Sequence, residues 1–171
     1  MSEINIKKII ENLIDTFLKA GKISLELRKK GLIKKIKKDN TPVTNGDLEV
    51  NKIITSKIIE LTPNIPIISE ETSDNKTLEN LKDFWLIDPI DGTHDYLNNL
   101  EEFTINAGLI VERKPVAGLI YAPAKNRMFF SYGENLAFEL INEKATKLNS
   151  AKNFNKNEIK FVSYSNKLKP E

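Results

Sequence analysis

Apolar side chains at Ile6, Ile9, Ile10, Leu13, Ile14, Phe17 and Leu18 recur at the i, i+3, i+4 spacing of one helix face. With Ile23, Leu25 and Leu27 continuing the pattern, residues 4–29 are expected to form a long amphipathic helix, with a loosening at Gly21. A second set, Leu48, Val50, Ile53, Ile54, Ile58 and Ile59, predicts a helix from about Asn45 to Leu61. Thr44 followed three residues later by Asp47 has the form of a capping box at its start. Between the two helices lies a basic run, Arg28–Lys38, ending in the turn-prone Asp39-Asn40-Thr41-Pro42.

After Pro63 the periodicity shortens to that of strands. Pro66–Ser69 leads into Glu70-Glu71, and Phe84–Asp88 is an apolar run of strand length. Thr104–Val111, Pro115–Tyr121 and Arg127–Tyr132 follow with short connections, which predicts an antiparallel meander, and Leu136–Ile141 adds a further strand. A polar stretch from Asn142 to Asn157 is expected to be a linker, and Ile159–Ser163 one more strand. The fold class read from this order is α+β, two long helices packed on an antiparallel sheet.

Composition narrows the chemistry. The chain has 171 residues, no cysteine, one histidine (His94) and a formal net charge of +2. The missing cysteines exclude disulfides, a thiolate nucleophile and cysteine-ligated zinc or iron–sulfur centres. Catalysis would have to rest on carboxylates and hydroxyls. No stretch approaches the roughly 18–20 apolar residues that cross a bilayer, and the N-terminus lacks the charged-then-apolar order of a secretory signal. A cytoplasmic location is expected, with peripheral association at the inner face of the membrane allowed. The basic run is read as a solvated hairpin with apolar residues between the lysines, so no nucleic-acid partner is expected.

The informative segment is Asp88-Pro89-Ile90-Asp91-Gly92-Thr93. Two carboxylates three residues apart end an apolar strand, and a proline between them fixes the expected turn. Gly92 can adopt backbone angles closed to other residues and lets the main chain approach a ligand. Thr93 can open a helix whose free N–H groups favour an anion. Hard oxygen donors on a rigid turn suit magnesium, which commonly bridges carboxylates to phosphate. Taken singly, Asp-Gly is an ordinary turn, Asp47 a helix cap and Glu70-Glu71 a solvated loop. Their co-occurrence in order is what gives the pattern its weight.

Pro42-Val43-Thr44 with Asp47, Ser69-Glu70-Glu71 and Asp88–Thr93 together resemble the magnesium-dependent, lithium-sensitive phosphatases of the inositol monophosphatase superfamily. Asp39–Thr44, Glu102–Asn106 and Pro115–Pro123 are similar to its bacterial 3′(2′),5′-bisphosphate nucleotidase branch, the CysQ-like proteins. The resemblance spans about residues 5–165. It implies the N-terminal domain of a layered α-β-α-β-α fold that hydrolyses phosphomonoesters with Mg2+. It also implies Glu70, Asp88 and Asp91 as side-chain metal ligands, with the main-chain carbonyl of Ile90. Asp47 and Thr93 would position and deprotonate the attacking water, and the amides of Gly92 and Thr93 would hold the departing phosphate. The substrate implied is a small phosphorylated molecule, adenosine 3′,5′-bisphosphate first, with inositol phosphates or other sugar phosphates as the alternative.

The chain departs from that family in three ways. His94-Asp95-Tyr96 stands where the nucleotidase branch usually has Lys-Glu-Phe, and His94 is expected to be an exposed helix residue. Asn99-Leu100-Glu101 replaces a stretch that often carries glycine. No counterpart of the family's second α/β half, with its further metal-binding Asp, is expected after Ser163. The expected division is therefore residues 1–150 as a metal- and phosphate-binding domain and 151–171 as linker plus the first strand of an absent domain. A homodimer or a separately supplied C-terminal half are the partners this allows, and a catalytically inactive fragment is the competing reading.

Overall fold

The computed structural model describes residues 5–37, 40–71 and 81–149. The first helix, α1 (Ile6–Lys30), starts where the Asn5 side chain accepts a hydrogen bond from the Lys8 amide and ends at Gly31. It runs unbroken through Gly21, contrary to the expected loosening. A Cβ at Gly21 would lie 2.3 Å from Tyr121 Cε1, so the glycine there allows the helix to sit directly on the sheet.

The basic run divides. Arg28 belongs to α1, and its guanidinium lies over Phe103 and Tyr96 at 5.1 and 5.8 Å while Nη1 donates to Leu100 O. Lys29 and Lys30 close the same helix, while Lys34 and Lys35 lie in β1 (Lys34–Ile36), which pairs antiparallel with β2 (Pro42–Thr44), Lys35 opposite Val43. Next come α2 (Asn45–Leu61) and β3 (Ile67–Ser69). Then follow β4 (Phe84–Asp91), the short α3 (Thr93–Leu97), β5 (Thr104–Val111) and β6 (Lys114–Ala122), and lastly β7 (Arg127–Ser131), β8 (Ala137–Ile141) and β9 (Lys144–Lys147).

Among the described residues seven strands, β3 to β9, form one sheet in sequence order. The expected antiparallel meander accounts for β4 to β9; β3 joins β4 in parallel at one edge. Alternation along the strands buries Trp85, Ile87, Ile105, Leu109 and Leu119 on one face, against Ile10, Leu13 and Phe17 of α1 and Val50, Ile54 and Ile58 of α2. Each large apolar side chain so buried contributes about 1.5–3 kcal/mol. Trp85 also satisfies its indole N–H, which donates to Thr62 Oγ1 at 3.0 Å. The other face leaves Leu86 and Ile120 half exposed. The class is α+β, as expected.

Two expectations are corrected. Asp88-Pro89 is not a turn, because β4 continues to Asp91. The expected linker is structured at its start: Asn142 and Glu143 both take positive φ, 48° and 64°, and reverse the chain into β9. The fully exposed β9 has no apolar alternation to betray it, and its lysines suit an edge strand. The strand expected at Ile159–Ser163 lies outside the described residues.

Candidate active site

Three segments far apart in sequence converge beside the β4 end of the sheet. The first is the β2–α2 junction. Thr44 caps α2, its Oγ1 accepting from the amides of Gly46 and Asp47 at 3.0 and 3.3 Å. Asp47 returns the interaction, its Oδ2 accepting from the Thr44 amide at 2.9 Å and from the Thr44 hydroxyl. The predicted capping box is therefore present. It uses only one carboxylate oxygen. The other, Oδ1, lies 3.4 Å from Thr93 Oγ1, 46 residues away. Asp47 is 1% exposed, and burial raises its pKa despite the hydrogen bonds from Thr44, the backbone and Thr93 that pull it down.

The second segment follows β3. The Ser69 hydroxyl donates to Asn51 Oδ1 at 2.7 Å, tying the strand to α2, and the Glu70 amide donates to Ile87 O, setting Glu70 beside β4. Lys37, from the hairpin, donates to Glu70 Oε1 at 3.0 Å and to Glu71 Oε1 at 2.8 Å. Burial pulls the Lys37 ammonium down, but the hydrogen bonds it donates to Glu71 and Glu70, with their charges, more than offset this and leave its pKa above the usual amine value. The Glu71 carboxyl is raised by burial, only partly countered by Lys37.

The third segment is Asp88–Thr93. Asp88 pairs with Asn106 on β5 and Asp91 with Thr104, so β4 carries one more residue than its partner between those pairs. That is a β-bulge. Asp88 Oδ1 is buried and has no hydrogen-bond partner among the described residues, a state that costs about 1–3 kcal/mol for an acceptor. Burial, and then the charges of Glu70 and Asp91, push the Asp88 carboxyl up to about 7. Asp91 Oδ2 accepts from Asn106 Nδ2 at 3.2 Å.

Gly92 then turns the chain with φ 91°, where a Cβ would also lie 2.8 Å from Glu102 O. The left-handed backbone is the one expected of it, and the close approach seen here is to the Glu102 carbonyl. Thr93 opens α3, its hydroxyl 3.1 Å from Ile90 O as well as near Asp47. Tyr96, whose hydroxyl donates to Ser24 O at 2.6 Å, and the Arg28 guanidinium over Tyr96 and Phe103 clamp this corner to α1. His94 is exposed, as expected, with Nδ1 3.4 Å from Asp95 Oδ1.

Every residue singled out from the sequence therefore lies in this corner: Asp47 with Thr93, and Glu70 with Asp88 and Asp91. Among the described residues, no group of three or more acidic or imidazole side chains closes into a metal-holding cluster. Lys37 holds Glu70, and Asn106 holds one oxygen of Asp91. The donors nonetheless fit a magnesium-type cation. They are all oxygen, and the orphaned Asp88 oxygen with its raised pKa marks a carboxylate group short of positive charge. Two participants were given no role from the sequence. Lys37 was absorbed into a solvated basic run, and Asn106 entered only as the end of the Glu102–Asn106 stretch, although the alternation Ile105, Ala107, Leu109 already assigns Thr104, Asn106 and Gly108 to the opposite face.

A model of the inositol monophosphatase family matches residues 5–170. A curated relative, the 3′(2′),5′-bisphosphate nucleotidase CysQ of Haemophilus influenzae, is 37% identical over 114 residues, 66% of this chain and 42% of that protein. The structure of CysQ from Bacteroides thetaiotaomicron superposes with a TM-score of 0.57 at 28% identity, covering 75% of this chain and 47% of that one. An IMPase/NADP phosphatase solved with Mg2+ and phosphate shares the fold, with a TM-score of 0.67 at 21% identity over 78% and 51% of the two chains. The chain spans about half the length of the curated relatives it matches, or less.

Proposed function

The chain belongs to the inositol monophosphatase family, and from that premise we propose that it carries the catalytic carboxylates of a magnesium-dependent phosphomonoester hydrolase acting on adenosine 3′,5′-bisphosphate. What supports this reading is the meeting of three distant segments, with Thr93 Oγ1 3.4 Å from Asp47 Oδ1 beside the unpartnered Asp88 oxygen. The nucleotidase names of the relatives favour the nucleotide over inositol or other sugar phosphates.

Glu70, Asp88, Asp91 and the carbonyl of Ile90 would hold the cation. Magnesium bound there supplies Lewis acidity, acidifying water and neutralising phosphoryl oxygens. The chain's own groups do the rest. The Thr93 hydroxyl, between Ile90 O and Asp47 Oδ1, orients the attacking water; it passes its proton to Asp47 as it takes one from that water. Burial raises the basicity of Asp47, and the Thr44 hydrogen bonds keep it from protonating too readily. The amides of Gly92 and Thr93 receive the departing phosphate, with Gly92 set by its positive φ and the contact with Glu102 O. Positioning and electrostatics carry such transfers.

The test is a panel of adenosine 3′,5′-bisphosphate, inositol 1-phosphate and fructose 1,6-bisphosphate with Mg2+, with and without Li+. The expected result is fastest phosphate release from the nucleotide, inhibited by Li+. Preference for either sugar phosphate would move the substrate assignment, and no release from any of the three would overturn the activity.

A further inference from the structure

We propose that Asn106 is a positioning residue for the cation site, holding the Asp91 carboxylate on the side of the sheet where Asp88 lies; this rests on the reading of the two aspartates as metal ligands. Asn106 stands directly opposite Asp88 in the β4–β5 register, so the two side chains leave the sheet on the same face. Both border one groove of about 560 Å³ on the face away from the helices. From there the Asn106 amide nitrogen reaches across to Asp91 Oδ2 at 3.2 Å.

The orientation of the amide is fixed by charge. Turned over, its oxygen would face the Asp91 carboxylate, acceptor against acceptor. As placed, its donor end serves Asp91 and its Oδ1 is left buried without a partner among the described residues. An amide that only filled space would not hold an orphaned acceptor in a groove walled by Leu86, Ile120 and Phe138. The core does not need it either, since Ile105, Ala107 and Leu109 supply the helix-facing side of β5. Among the described residues the donor end is thus the one hydrogen bond of this side chain, and the group it bonds is one of the two aspartates. Partners that orient metal-binding carboxylates typically account for 10–100-fold in metal affinity.

The experiment is Mn2+ binding to the full 171-residue chain, followed by the loss of the free-ion electron paramagnetic resonance signal, for the wild type, Asn106→Leu, Asp91→Asn and the double variant. Thermal unfolding without cation is measured alongside. Leucine keeps the size of the side chain and removes both polar ends. The expected result is a loss of Mn2+ affinity of about 10–100-fold in Asn106→Leu, with the cation-free melting temperature unchanged or raised. That loss should vanish in the Asp91→Asn background. Affinity within twofold of wild type, or the same loss with and without Asp91, would overturn the positioning role while leaving the cation site in place. No Mn2+ binding by the wild type would overturn both.

Discussion

Asp88 and Asp91 lie three residues apart on one strand yet face the same side of the sheet. Strict alternation would send residues i and i+3 to opposite faces. Their partners, Asn106 and Thr104, are two residues apart and share a face, so the extra residue of the bulge at Pro89-Ile90 restores the parity. Trp85, Ile87 and Ile90 go to the core while Leu86, Asp88 and Asp91 go to the groove side. A regular strand with the same two aspartates would bury one of them against α2. The bulge is therefore the local device that makes two sequence-near carboxylates into neighbours in charge, and the Asp91 charge joins burial and Glu70 in raising the Asp88 carboxyl.

The cost of that neighbourhood has a pH signature. The folded-state pKa of Asp88, about 7, lies above its ordinary value of 3.8. As pH rises from 4 to 7 the unfolded chain gives up this proton first, so stability without cation falls across that window and levels off above it. Urea unfolding of wild type and Asp88→Asn from pH 4 to 8 should show a smaller fall in the variant. Saturating Mg2+ should offset the wild-type fall at pH 7 and above. Parallel pH profiles for the two proteins would contradict the assignment.

Asp47 serves two masters, the helix cap through Oδ2 and Thr93 through Oδ1. Asp47→Asn keeps an acceptor for the Thr44 amide but loses the base. It is expected to unfold within about 1 kcal/mol of wild type and to lose roughly 10²–10⁴ in kcat. A stability loss matched by little change in kcat would mean that Asp47 is a cap alone.

Thr44→Ala isolates the other half of the same box. Losing a side-chain cap typically costs about 0.5–2 kcal/mol. Here it also frees the Asp47 Oδ2 that the Thr44 hydroxyl and amide now engage. Denaturant midpoints should fall and kcat should drop more than stability alone would explain. An unchanged midpoint would contradict the cap.

Gly92→Ala places a Cβ at φ 91° and 2.8 Å from Glu102 O. Left-handed conformations cost a non-glycine residue about 1–3 kcal/mol, and the contact with backbone oxygen adds to it. Thermal unfolding should show a lower midpoint, with phosphate release reduced further because the Gly92–Thr93 amides shift. A variant as stable and active as the wild type would show that the turn relaxes freely.

Much of this was legible in the sequence for particular reasons. The second helix was readable to its ends because its cap is chemical: Thr44 and Asp47 announce the start, and the apolar spacing carries it to Leu61. The motif Asp88–Thr93 was readable because so few residue types suit its corner, Gly92 above all. The bulge was not, since Pro89 between two aspartates reads as a turn, and only the pairing with β5 reveals a continuing strand. Nor was β9, whose four residues are all exposed and which is revealed by its pairing with β8. Lys37 was hidden by its neighbours: in a run of lysines nothing local distinguishes the one that reaches Glu70 and Glu71 across 33 and 34 residues.

If the Asp88–Asp91 corner uses Mg2+ to hydrolyse a phosphomonoester, phosphate release from adenosine 3′,5′-bisphosphate must follow a Mg2+ titration. Wild type should release no phosphate without the cation and rise saturably with it, while Asp88→Asn and Asp91→Asn stay near background at every concentration. Release that is independent of Mg2+, or that persists in both variants, would contradict the account.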